Sequence, residues 1–99
     1  MLSRFNFHLE IRKRLAGGAR LVITDHAKLR MAERSITLED VRQCLQRGHP
    51  TEDPTPDLHR GSTSCPLLLE EDGEGIVVVA AISDSNPGVV VVTTYGKEA

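Results

Sequence analysis

The fold is decided by ITDHAKLRMAER, residues 23–34 of a chain of 99 residues. The stretch predicts the end of a short strand, a helix N-cap at Thr24 or Asp25, and a helix over residues 25–34. This helix carries the densest group of chemically capable side chains in the sequence. We call that group the polar stripe, and it consists of His26, Arg30, Glu33 and Arg34.

The polar stripe is narrow and has apolar neighbours on both sides. A helix turns by about 100° per residue, which places the four side chains within about 100° of one another. Leu29 follows on one side of the stripe, and Ala27 and Met31 follow on the other. In an ordinary amphipathic helix the charges lie opposite the apolar face. We therefore expect the stripe to face a cleft or a polar part of the sheet instead of bulk water.

Two interpretations of the polar stripe remain open. In the functional one, His26 transfers protons near neutral pH, while the arginines bind phosphate or carboxylate and stabilise anionic charge. Glu33 then positions Arg30 or acts as a base. In the structural one, Glu33 bridges Arg30 and Arg34 in an ion-pair network, and His26 caps the helix or bonds to the sheet. Spacing alone favours the structural interpretation.

A separate helix is predicted at the N-terminus. Ser3 is a candidate N-cap for a helix over residues 3–16, which two glycines at positions 17 and 18 end. Its apolar residues fall in two groups that cover more than one stripe. This pattern is typical of a helix that packs on two sides or that meets a partner chain.

Two short elements flank the helix that carries the stripe. Residues 20–24 are rich in β-branched side chains and predict a strand. The segment from Thr37 to Asp40 resembles a capping box and begins a helix over residues 38–47, which Gly48 ends.

The second half of the chain predicts a loop followed by an antiparallel meander. Three prolines within residues 49–62 indicate a loop. Apolar and β-branched segments with short connections follow at residues 65–71, 76–82 and 89–95. The resulting prediction is an α+β fold, with helices packed on one face of a three- to four-stranded, mainly antiparallel sheet.

Length and charge limit what the chain can be. We expect one domain over residues 1–99, with an N-terminal helical extension over 1–18 and a core domain over 20–97. Residues 1–50 hold ten Lys and Arg against five Asp and Glu, a net +5, and residues 51–99 hold two against nine, a net −7. The basic half could attract an anionic partner, or the two halves could neutralise each other in the fold.

Other residue types point away from several classes of protein. Aromatic residues make up 3% of the chain, too few for a surface that stacks on bases. Cys44 and Cys65 lack metal-like spacing, and we expect Cys44 in the core and the loop histidines His49 and His59 in solvent. No secretory signal or membrane span is apparent. We therefore expect a cytoplasmic protein with reduced cysteines, no metal and no cofactor.

A longer run around the stripe allows a comparison with known families. It comprises ITDHAKLRMAERSITLEDV at residues 23–41, then Leu45, Gly48 and VVTTY at residues 91–95. This run resembles the family catalogued as domain of unknown function 4258. That family looks related to the RelE-like toxins and to the ribonuclease fold of barnase-like toxins. The resemblance implies two helices packed on a four-stranded, mainly antiparallel sheet.

The resemblance also implies a function, namely a metal-independent endoribonuclease that is the toxin of a toxin–antitoxin pair. RNA would be cleaved by attack of the 2′-hydroxyl on the adjacent phosphate. The polar stripe would be catalytic, with His26 as acid or base, Arg30 and Arg34 holding the phosphate, and Glu33 orienting them. The opposite wall would be formed by Thr94, Tyr95 and Lys97.

Three partners are expected: RNA, a small antitoxin protein, and a second copy of the chain bound through the N-terminal helix. The alternative function is a non-enzymatic protein-binding module, in which the stripe is a structural ion-pair network.

Overall fold

The structure, a computed structural model, describes residues 2–97. It confirms the α+β fold, and the three helices of this described part all lie in the first half of the chain. The helices are α1 (Arg4–Ala16), α2 (Asp25–Arg34) and α3 (Leu38–Arg47). The strands are β1 (Leu21–Ile23), β2 (His49–Pro50), β3 (Thr55–Asp57), β4 (Ser62–Glu71), β5 (Glu74–Ser83) and β6 (Val89–Lys97). Within residues 2–97, no helix is both long and apolar enough to cross a membrane.

Strands β4, β5 and β6 form the predicted antiparallel meander. The turn between β4 and β5 is tight, because Asp72 and Gly73 both have positive φ angles, 53° and 82°. Two such residues are what a two-residue hairpin loop requires. β1 pairs with β6 in parallel, so the order in the sheet is β1-β6-β5-β4-β2, and β3 also pairs with β4.

Within residues 2–97 the sheet has six strands, which is more than the three or four predicted. The additional strands, β2 and β3, lie within residues 49–62, where the prolines predict a loop. Each pairs with β4 alone, over two and three residues. Proline lacks an N–H group but is tolerated where a strand pairs on one side only. Such short strands carry no recognisable pattern in the sequence. His49 lies in β2 and not in a loop, and His59 follows β3; both are exposed as predicted.

Local interactions fix both ends of α3 where the sequence predicts them. The Thr37 hydroxyl accepts from the Asp40 N–H at 3.0 Å, and the Asp40 carboxylate accepts from the Thr37 N–H at 2.9 Å. At the other end, glycine is required at position 48. A Cβ atom on Gly48 would lie 2.5 Å from the carbonyl oxygen of Cys44 and 2.8 Å from that of Leu68.

The helices pack on one face of the sheet and enclose the apolar core, which includes Cys44 as predicted. No helix in the described part of the chain covers the other face, where Val22, Val92 and Tyr95 are 38–43% exposed. The residues that form the core are Phe7, Ile11, Ala27, Ile36, Val41, Cys44, Leu45, Cys65, Leu67, Val78, Ala80, Ile82, Val89 and Val91.

A bulge in β6 determines where its last residues point. Residues 79–80 of β5 pair with Thr93 and Val91, so Val92 is an extra residue in β6. One extra residue reverses the alternation of inward and outward side chains along a strand. Val91 is fully buried before the bulge, and Thr94 is fully buried after it.

Candidate functional site

The N-terminus of α2 is attached to β6. The Thr24 hydroxyl accepts from the Ala27 N–H at 3.0 Å and donates to the Val92 carbonyl at 2.9 Å. The Thr24 N–H donates to the Val91 carbonyl at 3.2 Å. Ala27 is fully buried, and its small side chain allows α2 to lie close to the strand. The polar stripe therefore begins beside the bulge of β6.

All four side chains of the polar stripe are exposed to solvent. Arg30 and Glu33 form one ion pair, with 3.4 Å between Nη1 and Oε1 and with 45% and 47% of the side chains exposed. The side chains of Arg34 and His26 have no ion-pair or hydrogen-bond partner among the described residues. The expected bridge from Glu33 to both arginines is thus only half formed. A surface pair of this kind contributes about 0–1 kcal/mol.

The cleft that we expect around the stripe is not formed in the described part of the chain. Leu29, which the pattern places as one apolar neighbour, is 59% exposed. On the other side, Ala27 is buried and Met31 packs partly against the core. α2 packs mainly against β6, so it buries only a narrow arc of its surface. The helical pattern shows apolar residues on both sides, but protein covers only one of them.

The three predicted residues of β6 do not share one surface. Thr94 is fully buried on the face that the helices cover, and its hydroxyl has no hydrogen-bond partner among residues 2–97. Tyr95 is 43% exposed on the opposite face. The backbone of Lys97 pairs with Gly75, while the Lys97 side chain lies outside the described part of the structure. Of this group, Tyr95 is accessible and Thr94 belongs to the core.

Neither cysteine has the character of a nucleophile. Burial raises the pKa of Cys44 to about 11, and it also raises the pKa of Cys65 to about 11. The Cys44 thiol donates to the Leu67 carbonyl, with 3.2 Å between sulfur and oxygen. Thiols with such pKa values are protonated at neutral pH. Among residues 2–97, no three His, Cys, Asp or Glu side chains are grouped so that they could hold a metal ion.

Arg14 of α1 is bonded more extensively than any arginine of the stripe. Its side chain is only 15% exposed. The guanidinium donates to the carbonyls of Ser83 at 2.8 Å, Asn86 at 2.8 Å and Gly88 at 3.0 Å. It also pairs with the Glu10 carboxylate at 3.4 Å. Arg14 therefore fastens the end of α1 to the connection between β5 and β6.

The spacing of α1 contains a signal that locates Arg14. Arg14 follows Phe7 by seven residues and Ile11 by three, so it lies on the face that these two bury. A guanidinium on a buried face has to find acceptors, because an unpaired buried charge is costly. This signal is easily missed, because residues 12–14 are all basic and lie in the last turn of the helix. Positive charge there is also explained by the helix dipole.

A groove of about 550 Å³ lies between α1 and the ends of β4 and β5. It has apolar residues from both sides, and the polar residues around it include Lys13 of α1 and Asp84 after β5. No residue of the polar stripe lines this groove. The apolar lining residues are Leu2, Leu9 and Ile82.

A known family covers most of these elements. Residues 23–96 match the family described as Domain of unknown function (DUF4258). The match begins at the end of β1 and extends into β6, and α1 lies outside it. No curated protein and no solved structure matches the chain. The chemistry of the exposed side chains therefore has to support any more specific function.

Proposed function

We propose that this chain, which belongs to the DUF4258 family, is a metal-independent endoribonuclease and the toxin of a toxin–antitoxin pair. The observation that carries the proposal is that the polar stripe is open to ligands. His26 and Arg34 have no partner among the described residues, and Arg30 has only a long surface pair with Glu33. One face of α2 thus offers a group for proton transfer and two guanidinium groups.

The exposure of the stripe suits a polymeric substrate, since RNA carries a phosphate at every nucleotide and cannot enter a closed pocket. Guanidinium groups bind phosphate oxygens through pairs of parallel hydrogen bonds. The stripe also belongs to the basic half of the chain. Ion pairs of Arg4 with Asp53 and of Arg47 with Glu71 join that half to the acidic half, but they leave the stripe arginines available.

In the proposed reaction, the 2′-oxygen forms a bond to the adjacent phosphorus while the bond to the 5′-oxygen breaks. The products are a 2′,3′-cyclic phosphate and a 5′-hydroxyl. His26 removes the proton of the 2′-hydroxyl or supplies one to the leaving 5′-oxygen. Arg30 and Arg34 stabilise the charge on the other phosphate oxygens, and Glu33 orients Arg30.

The three predicted residues of β6 differ in whether they can contact substrate. Tyr95 and Lys97 remain candidates for contact with substrate, because Tyr95 is exposed on the open face and Lys97 follows it on the same strand. Thr94 leaves the proposed site, since its side chain is fully buried.

An RNA cleavage assay with purified protein and mixed RNA in EDTA tests the proposal. We expect fragments that end in 2′,3′-cyclic phosphate. His26→Gln and Arg34→Ala should each lower the cleavage rate about 100-fold or more, because each removes a group that acts on the reacting phosphate. Lys28→Ala is the matched control: Lys28 is exposed on α2 but lies outside the stripe, so cleavage should continue.

Growth provides a second measurement. Expression of the wild-type chain should slow growth, and His26→Gln should relieve this effect while Lys28→Ala does not. Mixed RNA that stays intact with folded wild-type protein, in the absence of any antitoxin, contradicts the proposal.

A non-enzymatic protein-binding module is the second candidate, and Leu29 favours it. Its side chain is 59% exposed beside the stripe. An apolar side chain next to arginines offers a partner protein both apolar contact and charge. In this alternative the stripe is an interface instead of a structural network. Leu29→Ser and Arg34→Ala should then abolish binding to the product of a neighbouring reading frame, while no variant and no wild-type protein cleaves RNA.

A further inference from the structure

The outer side of α1 combines an exposed aromatic ring with a groove whose lining is mostly polar but includes three apolar side chains. Phe5 is 68% exposed, although Phe7 on the same helix is fully buried. Leu2 and Leu9 line the groove of about 550 Å³ together with Ile82 of β5. Phe5 and Leu9 lie four residues apart and are therefore neighbours on the helix surface. The ring and the groove thus belong to one continuous surface.

Opposite charges lie on the two sides of this groove. Lys13 of α1 and Asp84 after β5 both line it. Neither side chain forms an ion pair or a hydrogen bond within the described residues, whereas the side chains of Arg14 and Glu10 beside them are paired at 3.4 Å. The groove therefore presents a free positive charge on its helix side and a free negative charge on its strand side.

We propose that this surface binds a second copy of the chain and forms a symmetric homodimer. In a two-fold interface the same surface of both copies meets, so every contact between two different residues occurs twice. A surface with a free cation on one side and a free anion on the other complements itself under this symmetry. Lys13 then pairs with the partner's Asp84, and Asp84 pairs with the partner's Lys13.

Phe5 supplies the apolar part of this interface. The ring enters the partner's groove and covers its leucines, as the aromatic anchors of protein interfaces do. A second copy fits this surface better than a uniformly acidic or basic partner, which would match the charge on only one side of the groove.

The dimer surface shares no residue with the polar stripe. α1 lies outside residues 23–96, which match the family, while Ile82 and Asp84 lie within them. The two proposals can therefore fail separately. Variants in the groove should leave RNA cleavage by each chain in place, and variants in the stripe should leave the dimer intact.

Sedimentation equilibrium over micromolar to millimolar concentrations tests the dimer. The wild-type chain should change from monomer to dimer as concentration rises. Lys13→Glu and Asp84→Lys should each weaken dimerisation about tenfold or more, since each places two pairs of like charges in the interface. The double variant Lys13→Glu/Asp84→Lys should restore dimerisation, because the charges are exchanged but remain opposite.

Two matched pairs of variants separate this surface from general effects. Phe5→Ser should weaken dimerisation, whereas Leu58→Ser, which removes a leucine that is 92% exposed outside the groove, should not. Lys28→Glu is the counterpart of Lys13→Glu: it reverses the charge of an exposed lysine on α2 and should leave the dimer unchanged. Thermal unfolding of each variant checks that the monomer still folds. We expect that it does, because the altered side chains are at the surface.

Several results would overturn the proposal. One is a monomer at every concentration, including a monomer whose groove holds a small molecule or a different protein. Another is a dimer whose dissociation constant changes with neither Lys13→Glu nor Phe5→Ser, because its interface then lies elsewhere. A double charge exchange that does not restore dimerisation overturns the pairing of Lys13 with the partner's Asp84.

Discussion

Arg14 of α1 and the two arginines of the polar stripe differ in what surrounds them. Arg14 is 15% exposed and donates to three carbonyl groups of the β5–β6 connection. Arg30 and Arg34 on α2 are exposed, and of these two side chains only that of Arg30 has a partner within residues 2–97, Glu33 at 3.4 Å. The sequence pattern predicts a cleft or a polar part of the sheet around the arginines of α2, whereas the fold encloses Arg14 instead.

The comparison shows what makes a charged side chain structural. An arginine stabilises a fold when a second element brings acceptors that its planar guanidinium can reach together. The β5–β6 connection does this for Arg14. Nothing comparable in the described residues approaches Arg34, so its charge stays available to a ligand. The predictions below test this difference, starting with the largest expected effect.

Replacing Arg14 should have the largest effect on stability. Arg14→Ala removes the hydrogen bonds to three carbonyls and leaves Glu10 unpaired, so we expect the free energy of unfolding to fall by about 2–4 kcal/mol. Arg14→Lys should recover little of this, because an ammonium lacks the planar fork. Urea denaturation measures both. Arg12→Ala, at an exposed neighbouring position, is the control and should change stability by less than about 0.5 kcal/mol.

If Arg14→Ala is as stable as Arg12→Ala, Arg14 does not stabilise the fold, and its contrast with the arginines of α2 is wrong. The bonds to Ser83, Asn86 and Gly88 would then be no stronger than the bonds that these carbonyls make with water.

Elements with strong local signals could be predicted from the sequence. The bounds of α2 and α3 agree with prediction because Thr24 and Thr37 cap their starts and Gly48 ends α3. The meander was also predictable, since its β-branched strands are joined by a recognisable turn at Asp72 and Gly73. These features depend on residues close together in the chain.

Features that depend on distant partners could not be predicted. β2 and β3 exist because β4 offers them a backbone edge. The orientation of the stripe depends on which side of α2 meets β6, and Leu29 looks equally suitable for burial until that contact is known. The bulge at Val92 places Thr94 in the core and Tyr95 outside, whereas simple alternation from Val91 predicts the reverse.

Thr94→Val should stabilise the protein by about 1 kcal/mol. The buried hydroxyl has no hydrogen-bond partner in the part of the chain that the structure describes, and valine has nearly the same shape without the polar group. Thermal or urea denaturation gives the measurement. Thr94→Ala is the control, because it also removes a methyl group and should destabilise the core. If Thr94→Val instead leaves stability unchanged and lowers RNA cleavage, the Thr94 hydroxyl contributes to the proposed site.

A smaller, pH-dependent effect is expected from His8, another polar contact of α1. Its Nε2 lies 2.8 Å from the Leu45 carbonyl. Burial lowers the pKa of His8 below 6.5, and the charge of Arg12 acts in the same direction, although the hydrogen bond to Leu45 opposes both. The folded state therefore binds fewer protons than the unfolded state. Its stability is complete above about pH 6.5 and declines as pH falls towards the lowered value.

The measurement is the unfolding temperature of wild-type protein and of His8→Gln between neutral pH and about pH 5, above the range in which most carboxylates titrate. The wild-type protein should lose more stability over this interval than the variant. Parallel curves for the two proteins would show that protonation of His8 does not loosen α1.

The smallest effect on stability is expected where the sequence pattern points to an ion-pair network. Arg30→Ala, Glu33→Ala and the double variant should differ from wild type by less than about 0.5 kcal/mol each, and the coupling between the two positions should be equally small. A double-mutant cycle measured by urea denaturation provides these values. A coupling well above 1 kcal/mol would mean that Arg30 is held as Arg14 is, and that the stripe stabilises the fold. Negligible coupling together with loss of RNA cleavage in Arg30→Ala would assign the arginines of α2 to substrate, because stability and activity would then depend on different arginines.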